Sequence, residues 1–591
     1  MTRARAQSRG HKQTPDPPPP SSAALQTAWF RILVLSLAAL CLLGLFSTEV
    51  ADTDFWWHLK TGQYIVQRHA LPVPGPFAYT TAINPDAYPG EGQVRHFNLT
   101  HEWLSQTMLY GVYSLGGLPA VVLFRAALLG GLCGLVGLLA ARRSGQFYAG
   151  IAAAFATAWL ATWFTVDRPS IVSFFFVAVF LTLLELRRFL WAIPAIALVW
   201  ANCHGGFFLG WVVLGAYCSE TLLADRGKLF QSRTMTPGER RRLWLVTASA
   251  IAASAINPNG LGVISTLIRY RQSAMTANLV EWHPPYLWGP PYQFDLLLYA
   301  AALTLLISWR RVWRADWLLF AAFTAASLLA FRNILLVGLL APVLIAAYFP
   351  LHIRVPRIAA WLVPPAIAAV LVTGIARGSF YQLHAATWGT PAGAADFLRA
   401  NKIAGPLFNT YEQGGYLIWK LWPDYRVFID GRAISESTNK DYQQILYNLG
   451  APVDQVIGPR AQLLDRYGIQ TVVTNMFEYN SGAIYPLALA LSRSDWQLVY
   501  DDAQTLVFLR KPQAGVAAFA DKFRRVLEHM DTECVTNIEH APEASLCART
   551  MADFWMRFGE KARAQRMLQL YLAHAMDRDP VAERTLQQLS R

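Results

Sequence analysis

Two carboxylates stand two residues apart in Glu49-Val-Ala-Asp52-Thr-Asp54-Phe-Trp56-Trp57-His58, just after the first long apolar run of the chain. Acids so placed can take a proton from a nucleophilic hydroxyl or hold a divalent cation. In an extended segment the two side chains share one side. The alternative reading of Asp52 and Asp54 is a pair of solvated loop acids. Trp56 and Trp57 suit the headgroup belt of a membrane and could also stack on a sugar, with His58 beside them. A second cluster, His101-Glu102-Trp103, ends the same loop at the predicted start of the next helix. The helix dipole favours Glu102 there in any case. Yet acid, histidine and tryptophan recur at both ends of one loop, which points to a shared site.

Further candidates sit at the ends of later apolar runs: Asp167-Arg168-Pro169, Asn202-Cys-His204-Gly-Gly206, Asn257-Pro-Asn-Gly260, Glu281-Trp282 and Arg332-Asn333. Arg168, His204 and Arg332 supply donors that could grip a phosphate at a membrane surface. An isolated Arg at a helix end can equally snorkel to headgroups. There is no G-x-G-x-x-G and no P-loop, which disfavours a nucleotide-sugar or ATP site. The deep parts of the apolar runs are nearly free of ionisable groups. Pumps and channels place such groups inside the membrane, so the pattern favours interfacial chemistry over transport.

The elements that must position these residues are read from composition. The chain has 591 residues, 54% apolar and 15% charged, against roughly 25% charged in soluble domains. Runs such as RILVLSLAALCLLGLF, FYAGIAAAFATAWLATWF and WLVPPAIAAVLVTGIA recur from 28 to 376, and about eleven of them approach the ~20 residues needed to span a bilayer. The expected fold is therefore an α-helical polytopic membrane protein. Residues 1–27, basic then Pro/Ser-rich, read as a disordered cytoplasmic arm. Residues 28–376 read as the transmembrane domain, with a large outer loop over 49–103. The net charge of +13 comes from Lys and Arg at helix ends, the positive-inside pattern, so nucleic acid is not an expected partner. With Arg3, Arg5, Arg9 and Lys12 inside, each later basic cluster also falls inside and every candidate above falls outside. The stretch 104–141 is long for one crossing, and LSQTMLYGVYSLGGL is expected to lie along the outer interface before the true span.

After Arg377 the composition becomes that of a soluble domain. Residues 385–512 read as a periplasmic α/β domain with strands at 406–410, 426–430, 469–474, 496–500 and 505–510, and helices near 440–449 and 459–467. Asp430-Gly431-Arg432 reads foremost as a turn with a structural ion pair, although it could face the membrane site. Residues 515–591 read as a helical, tetratricopeptide-like tail, with Gly559 and Pro580 as its punctuation. Such a tail could cap the α/β domain or dock a protein partner. Cys534 and Cys547 lie in that tail, where a periplasm-like compartment permits a disulfide; two free thiols are the alternative. Cys41, Cys133, Cys203 and Cys218 read as small core residues.

At these motifs the chain resembles the integral-membrane glycosyltransferases of the GT-C fold, among them protein O-mannosyltransferases, aminoarabinose transferases and oligosaccharyltransferase catalytic subunits. The resemblance rests on D-x-D-x-W-W-H-L-x-T-G at Asp52 to Gly62 and H-E-W-L at His101 to Leu104. It extends to Asn409-Thr-Tyr411-Glu-Gln-Gly414-Gly415-Tyr416 and Phe428-Ile-Asp430-Gly431-Arg432, and covers most of 28–510. It implies a GT-C-like enzyme of the bacterial inner membrane, with its N-terminus cytoplasmic and its C-terminal domain periplasmic. The implied reaction moves a sugar, with inversion, from a polyprenyl-phosphate donor to a glycan, lipid or protein acceptor. By carry-over, Asp54 or Asp52 is the base and Glu102, beside His101, the second acid; Arg168, His204 and Arg332 hold the phosphate. Family members with pyrophosphate donors bind a divalent metal through outer-loop acids, and Glu281 could join Asp52 there. Rival readings are a non-catalytic receptor or envelope assembly factor on the same scaffold, and a lipid-linked polymerase or O-antigen ligase.

Overall fold

The computed structural model describes residues 22–81, 83–222, 231–270, 275, 279–350, 357–432, 434–478, 481–575 and 578–590. Most of the basic arm expected over 1–27 lies outside the described residues. The rest of the N-terminal two thirds is a helical bundle. Four of its helical runs are long and apolar enough to cross a membrane: Thr27–Phe46, Glu91–Ser144, Phe147–Phe164 and Phe331–Tyr348. Four shorter apolar helices, Ser170–Leu186, Ala192–Cys203, Tyr292–Ile307 and Ala360–Ala376, accompany them. Helices Phe208–Leu222, Pro237–Ser254 and Arg314–Leu329 pack among these. The expectation of about eleven full crossings exceeds what helix length secures. A 12-residue helix such as Ala192–Cys203 rises only ~18 Å, against a hydrocarbon core of ~30 Å.

The long segment Trp103–Ser144 breaks where its length called for a break. Gly116 and Gly117 leave helical geometry, and Gly117 has φ 62°, a conformation glycine adopts without steric penalty. Pro119 follows in the next turn. The halves before and after this kink are separate helical segments in all but hydrogen-bond bookkeeping.

Charge divides the bundle into two ends. At one, Arg143 pairs with Glu185 at 2.9 Å and Asp316 at 2.8 Å, Arg233 pairs with Glu185 at 2.8 Å, and Arg187 meets Glu239 at 3.1 Å. At the other lie Asp52, Asp54, Glu102, Arg168, His204, Glu281 and Arg332. One charge contradicts the expectation of ion-free helix interiors. Arg125 stands buried within the second half of Trp103–Ser144. Its guanidinium is satisfied by Asp167 at 2.6 Å and by the carbonyls of Phe46, Thr48 and Thr165. Pairing of this completeness is what makes a buried Arg tolerable.

The C-terminal part holds a four-stranded sheet in the order β1-β2-β4-β3. The strands are β1 (Leu407–Asn409), β2 (Thr471–Thr474), β3 (Gln497–Asp501) and β4 (Leu506–Leu509). β1 runs parallel to β2, while β2–β4 and β4–β3 are antiparallel. The strand expected at 426–430 does not form. Val427 makes a single bridge to Ala78 of the first loop, so its backbone serves that loop instead of the sheet. Helices Glu436–Tyr447 and Pro459–Arg466 lie near the predicted positions. The tail is Lys522–His540, Leu546–Arg557, Lys561–His574 and Pro580–Leu589, with Gly559 at φ 75° in the turn between the second and third helices. Cys534 and Cys547 form a disulfide between the first two, and the other four cysteines are free and buried.

The loop after the first helix is knitted to the C-terminal domain. Trp56 packs edge-on to Tyr416 at 4.9 Å, and Lys60 lies 5.4 Å from the Trp419 ring while donating to its carbonyl. Thr80 donates to the Phe428 carbonyl at 2.5 Å, and Asn84 to the Tyr467 hydroxyl at 2.6 Å. Two glycines make the closest approach. A Cβ on Gly415 would stand 2.5 Å from the Thr53 carbonyl oxygen, and one on Gly414 would strike the backbone of Ile429 and Asp430. Gly415 therefore lets helix Tyr411–Leu421 lie against the acid-bearing loop, while Gly414 seats the same helix on the Ile429 and Asp430 backbone.

Two predictions follow from this packing. Gly415→Ala is expected to destabilise the solubilised chain by about 1–3 kcal/mol through overpacking, read as a lowered Tm. Gly215→Ala, which meets nothing within 4 Å, is expected to show no loss. The tail supplies the second. Buried His529 sits between Asp501 at 2.7 Å and Glu533 at 3.0 Å. Burial opposes its charge, but hydrogen bonds to both acids prevail and push it up to about 9. A raised imidazole stabilises fully below its unfolded value of ~6.5, and that stabilisation is lost as pH rises through the folded value. Hydrogen-exchange protection of Lys522–His540 is expected to fall between pH 7 and 10 in the wild type. In His529→Gln it is expected to be low already at pH 7, with a flat pH response.

Candidate active site

The acid pair is built on a turn. Asp52 precedes it and Asp54 is the residue before helix Phe55–Arg68, with φ −73° and ψ −23°. The extended geometry expected for Asp52 to Asp54 is thus absent, yet both carboxylates converge on one partner. Arg168 Nε and Nη2 donate to the two oxygens of Asp52 at 2.5 and 3.0 Å. Nη2 also stands 3.1 Å from Asp54, and Nη1 stands 3.6 Å from Glu281. Glu281 in turn pairs with Arg332 at 3.1 Å, whose guanidinium lies 4.8 Å from the centre of the Trp282 ring. Residues from four separate helix ends are thereby joined in one chain of opposite charges.

Beside it lies a histidine cluster around Glu102. His101 Nε2 is 3.3 Å from its carboxylate, His58 Nδ1 3.7 Å and His204 Nε2 3.9 Å. His101 is held by the Phe97 carbonyl, His58 by Gln106, and His204 by Ser173 at 2.7 Å. Gly205 and Gly206 let the His204 turn approach closely. A Cβ on Gly205 would stand 2.9 Å from Phe97, and one on Gly206 2.8 Å from the Ser173 hydroxyl. The two clusters touch through neighbours in sequence: Trp57 donates to Asp54 at 3.0 Å, and its ring lies 3.6 Å from that of His58.

Exposure separates the residues a ligand can meet from those that support them. Arg168, Glu281 and Arg332 keep about a third of their side chains open (33%, 38% and 29%), and Asp54 keeps 16%. His101 and His204 keep similar small faces. Trp56, Trp57 and His58 are buried. Against the expectation that they meet headgroups or sugar stand their contacts within the protein: Trp56 packs on Tyr416, Trp57 donates to Asp54, and His58 lies 3.7 Å from Glu102. Asp52 is also nearly closed at 5% and acts on Arg168.

Burial sets the titration of the site. It outweighs the neighbouring Arg168 at Asp54 and, with the charge of Asp52 adding to it, pushes that carboxyl up to about 6. Asp52 suffers the same burial, but its bidentate bond to Arg168 holds it below the usual carboxylate range. Desolvation likewise outweighs Glu102 at His58 and His204, pushing them down to about 4 and about 3. Both imidazoles are therefore neutral at pH 7, and Arg168 and Arg332 supply fixed positive charge. Two carboxylates that share one guanidinium but are pushed apart in pKa are an arrangement suited to one acting as base and the other as an anchor.

Two features of the site escaped the sequence reading, and a third, the Asp430-Gly431-Arg432 turn, combines the two alternatives read for it. Arg125, through Asp167, fixes the residue preceding Arg168; a lone Arg in the run VVLFRAALL is the signal that could have found it. The turn Asp430-Gly431-Arg432 does hold its internal ion pair, at 2.6 Å. It also faces the acids, because a Cβ on Gly431 would strike the Asp54 carboxylate. Finally, a cleft of ≈ 480 Å³, open mouth included, runs between the halves of the kinked helix and the 167–172 turn. Met108, Leu109, Val121, Phe124 and Leu128 give it apolar walls, and Arg168 lines it beside the Arg125–Asp167 pair.

A metal is the cofactor to be tested. Among the described residues, no group of three or more His, Cys, Asp or Glu is arranged to hold one. The carboxylates best placed to converge on an ion, Asp52, Asp54 and Glu281, converge on the Arg168 guanidinium.

No family model and no curated protein matches the sequence. Solved structures do match in fold. The archaeal oligosaccharyltransferase AglB from Archaeoglobus fulgidus, in complex with an inhibitory peptide and a dolichol-phosphate, superposes with a TM-score of 0.54 at 10% identity, over 94% of this chain and 87% of that one. The apo oligosaccharyltransferase of Archaeoglobus fulgidus gives a TM-score of 0.52 at 12% identity, over 83% and 76%. The chain is thus a helical membrane protein that shares the GT-C fold of these enzymes.

Proposed function

We propose that this protein is a membrane glycosyltransferase that moves a sugar from a polyprenyl-phosphate donor to a hydroxyl-bearing glycan, lipid or protein acceptor. The observation that carries this reading is Arg168, a part-open guanidinium that touches both acids and lines a largely apolar cleft. An isoprenoid phosphate has the same two parts, an apolar chain and an anionic head. The AglB structure, solved with a dolichol-phosphate, supports a lipid-linked donor. In this reading the acid-bearing end and the C-terminal domain face the periplasm, and the basic end faces the cytoplasm of an inner membrane.

The chemistry needs two groups. Asp54 takes the proton of the acceptor hydroxyl as its oxygen attacks the anomeric carbon. The bond from that carbon to the phosphate oxygen breaks, and its electron pair leaves on the phosphate. Arg168 and Arg332, with a neutral donor from His204, hold the departing anion. Displacement from the face opposite the phosphate inverts the anomeric centre. Trp57 fixes the carboxylate that performs the proton transfer, and Asp52 keeps Arg168 in place.

Asp54→Asn keeps an oxygen to accept from Trp57 but removes the base, and is expected to lower transfer by about 10²–10⁴-fold. Glycan and lipid-linked-sugar profiling of a deletion strain checks this: wild type restores the modified product, whereas the variant accumulates the donor. Full complementation by Asp54→Asn would sink the enzymatic reading. Because a general base works only when ionised, kcat/KM is expected to rise with pH through about 6 and then level off.

A further inference from the structure

We propose that Arg168 is the resident cation of this centre: its guanidinium holds the position among Asp52, Asp54 and Glu281 that a divalent ion would take, and the site works without bound divalent metal. Metal-free turnover rests on the glycosyltransferase reading, but the geometry stands apart from it. Nε and Nη2 are committed to the two oxygens of Asp52, Nη2 also to Asp54, and Nη1 faces Glu281. A hard dication needs those same carboxylate oxygens at about 2.0–2.6 Å. It cannot share them with a cation that never loses its proton.

Nor is the guanidinium easily moved aside. Its bidentate partner Asp52 is 5% exposed. The preceding residue, Asp167, is held by buried Arg125 at 2.6 Å, and Pro169 stiffens the next. Displacing Arg168 would leave Asp52 buried and unpaired. The charges also balance without an added ion. Asp52 is matched by Arg168 and Glu281 by Arg332, which leaves Asp54 as the surplus acid of the three. A divalent ion would bind that surplus acid and remove the base.

The test is Mn2+ binding by the full chain in lipid nanodiscs, followed by electron paramagnetic resonance, with Arg168→Ala and Arg168→Lys beside the wild type. Wild type and Arg168→Lys are expected to bind no more Mn2+ than empty nanodiscs. Arg168→Ala, which leaves Asp52 and Asp54 with no guanidinium between them, is expected to bind Mn2+ about tenfold above the empty-nanodisc background, and adding Asp52→Asn is expected to abolish that gain. Mn2+ binding by the wild type that Asp52→Asn removes would overturn the proposal, whatever the variants do. Turnover of the wild type in EDTA is expected to stay within about twofold, and its loss with recovery on Mn2+ would also overturn it. Because Mn2+ binding is read without turnover, failure of the glycosyltransferase reading alone would leave the binding result unchanged.

Discussion

The contact between one guanidinium and three carboxylates organises this protein's acid-bearing end. Asp52, Asp54 and Glu281 come from two loops far apart in sequence, and alone they would repel. Arg168 joins them at 2.5–3.6 Å, and Glu281 extends the link to Arg332. Inside a partly desolvated site such attractions are several times stronger than in water. They tie together the loop after the first helix, the turn before Ser170–Leu186, the segment at 280–282 and the turn at 331–333. The same arithmetic leaves Asp54 without a full counter-charge, which is the condition a general base requires.

A second constraint is steric. The C-terminal domain reaches the acid loop through backbone, since Gly415 and Gly431 have no side chains to hold it off. This close seat covers Asp54 from one side and is part of why burial raises its carboxyl. Trp56, Lys60, Tyr416 and Trp419 form the adjacent packed layer, and fully burying an aromatic or aliphatic side chain contributes about 1.5–3 kcal/mol. Fold and titration are thus coupled: the surface that holds the domain in place is the surface that tunes Asp54.

Much of this was legible in the sequence, and the exceptions have physical causes. The segregation of acids from basic helix ends follows from where Arg and Lys fall, because each crossing reverses direction. The break in Trp103–Ser144 follows from length and from Gly116-Gly117. The burial of Trp56, Trp57 and His58 was not legible, because it depends on a domain hundreds of positions later. The 426–430 stretch has strand composition, yet its backbone is claimed by Ala78 and Asn409. Short helices such as Ala192–Cys203 have the apolar composition of a crossing in a helix of 12 residues. Arg125 was hidden by the apolar run around it, and its partner Asp167 was read as a helix-end acid.

The central claim is that a lipid-borne phosphate meets Arg168 with its sugar presented to Asp54. The most direct measurement is a cryo-electron microscopy map of the full chain with a polyprenyl-phosphate bound. The account predicts phosphate density within hydrogen-bond reach of Arg168 and Arg332, and isoprenoid density along the cleft between the kinked helix and the 167–172 turn. Phosphate density at the opposite end, against Arg143 and Arg233, would contradict it.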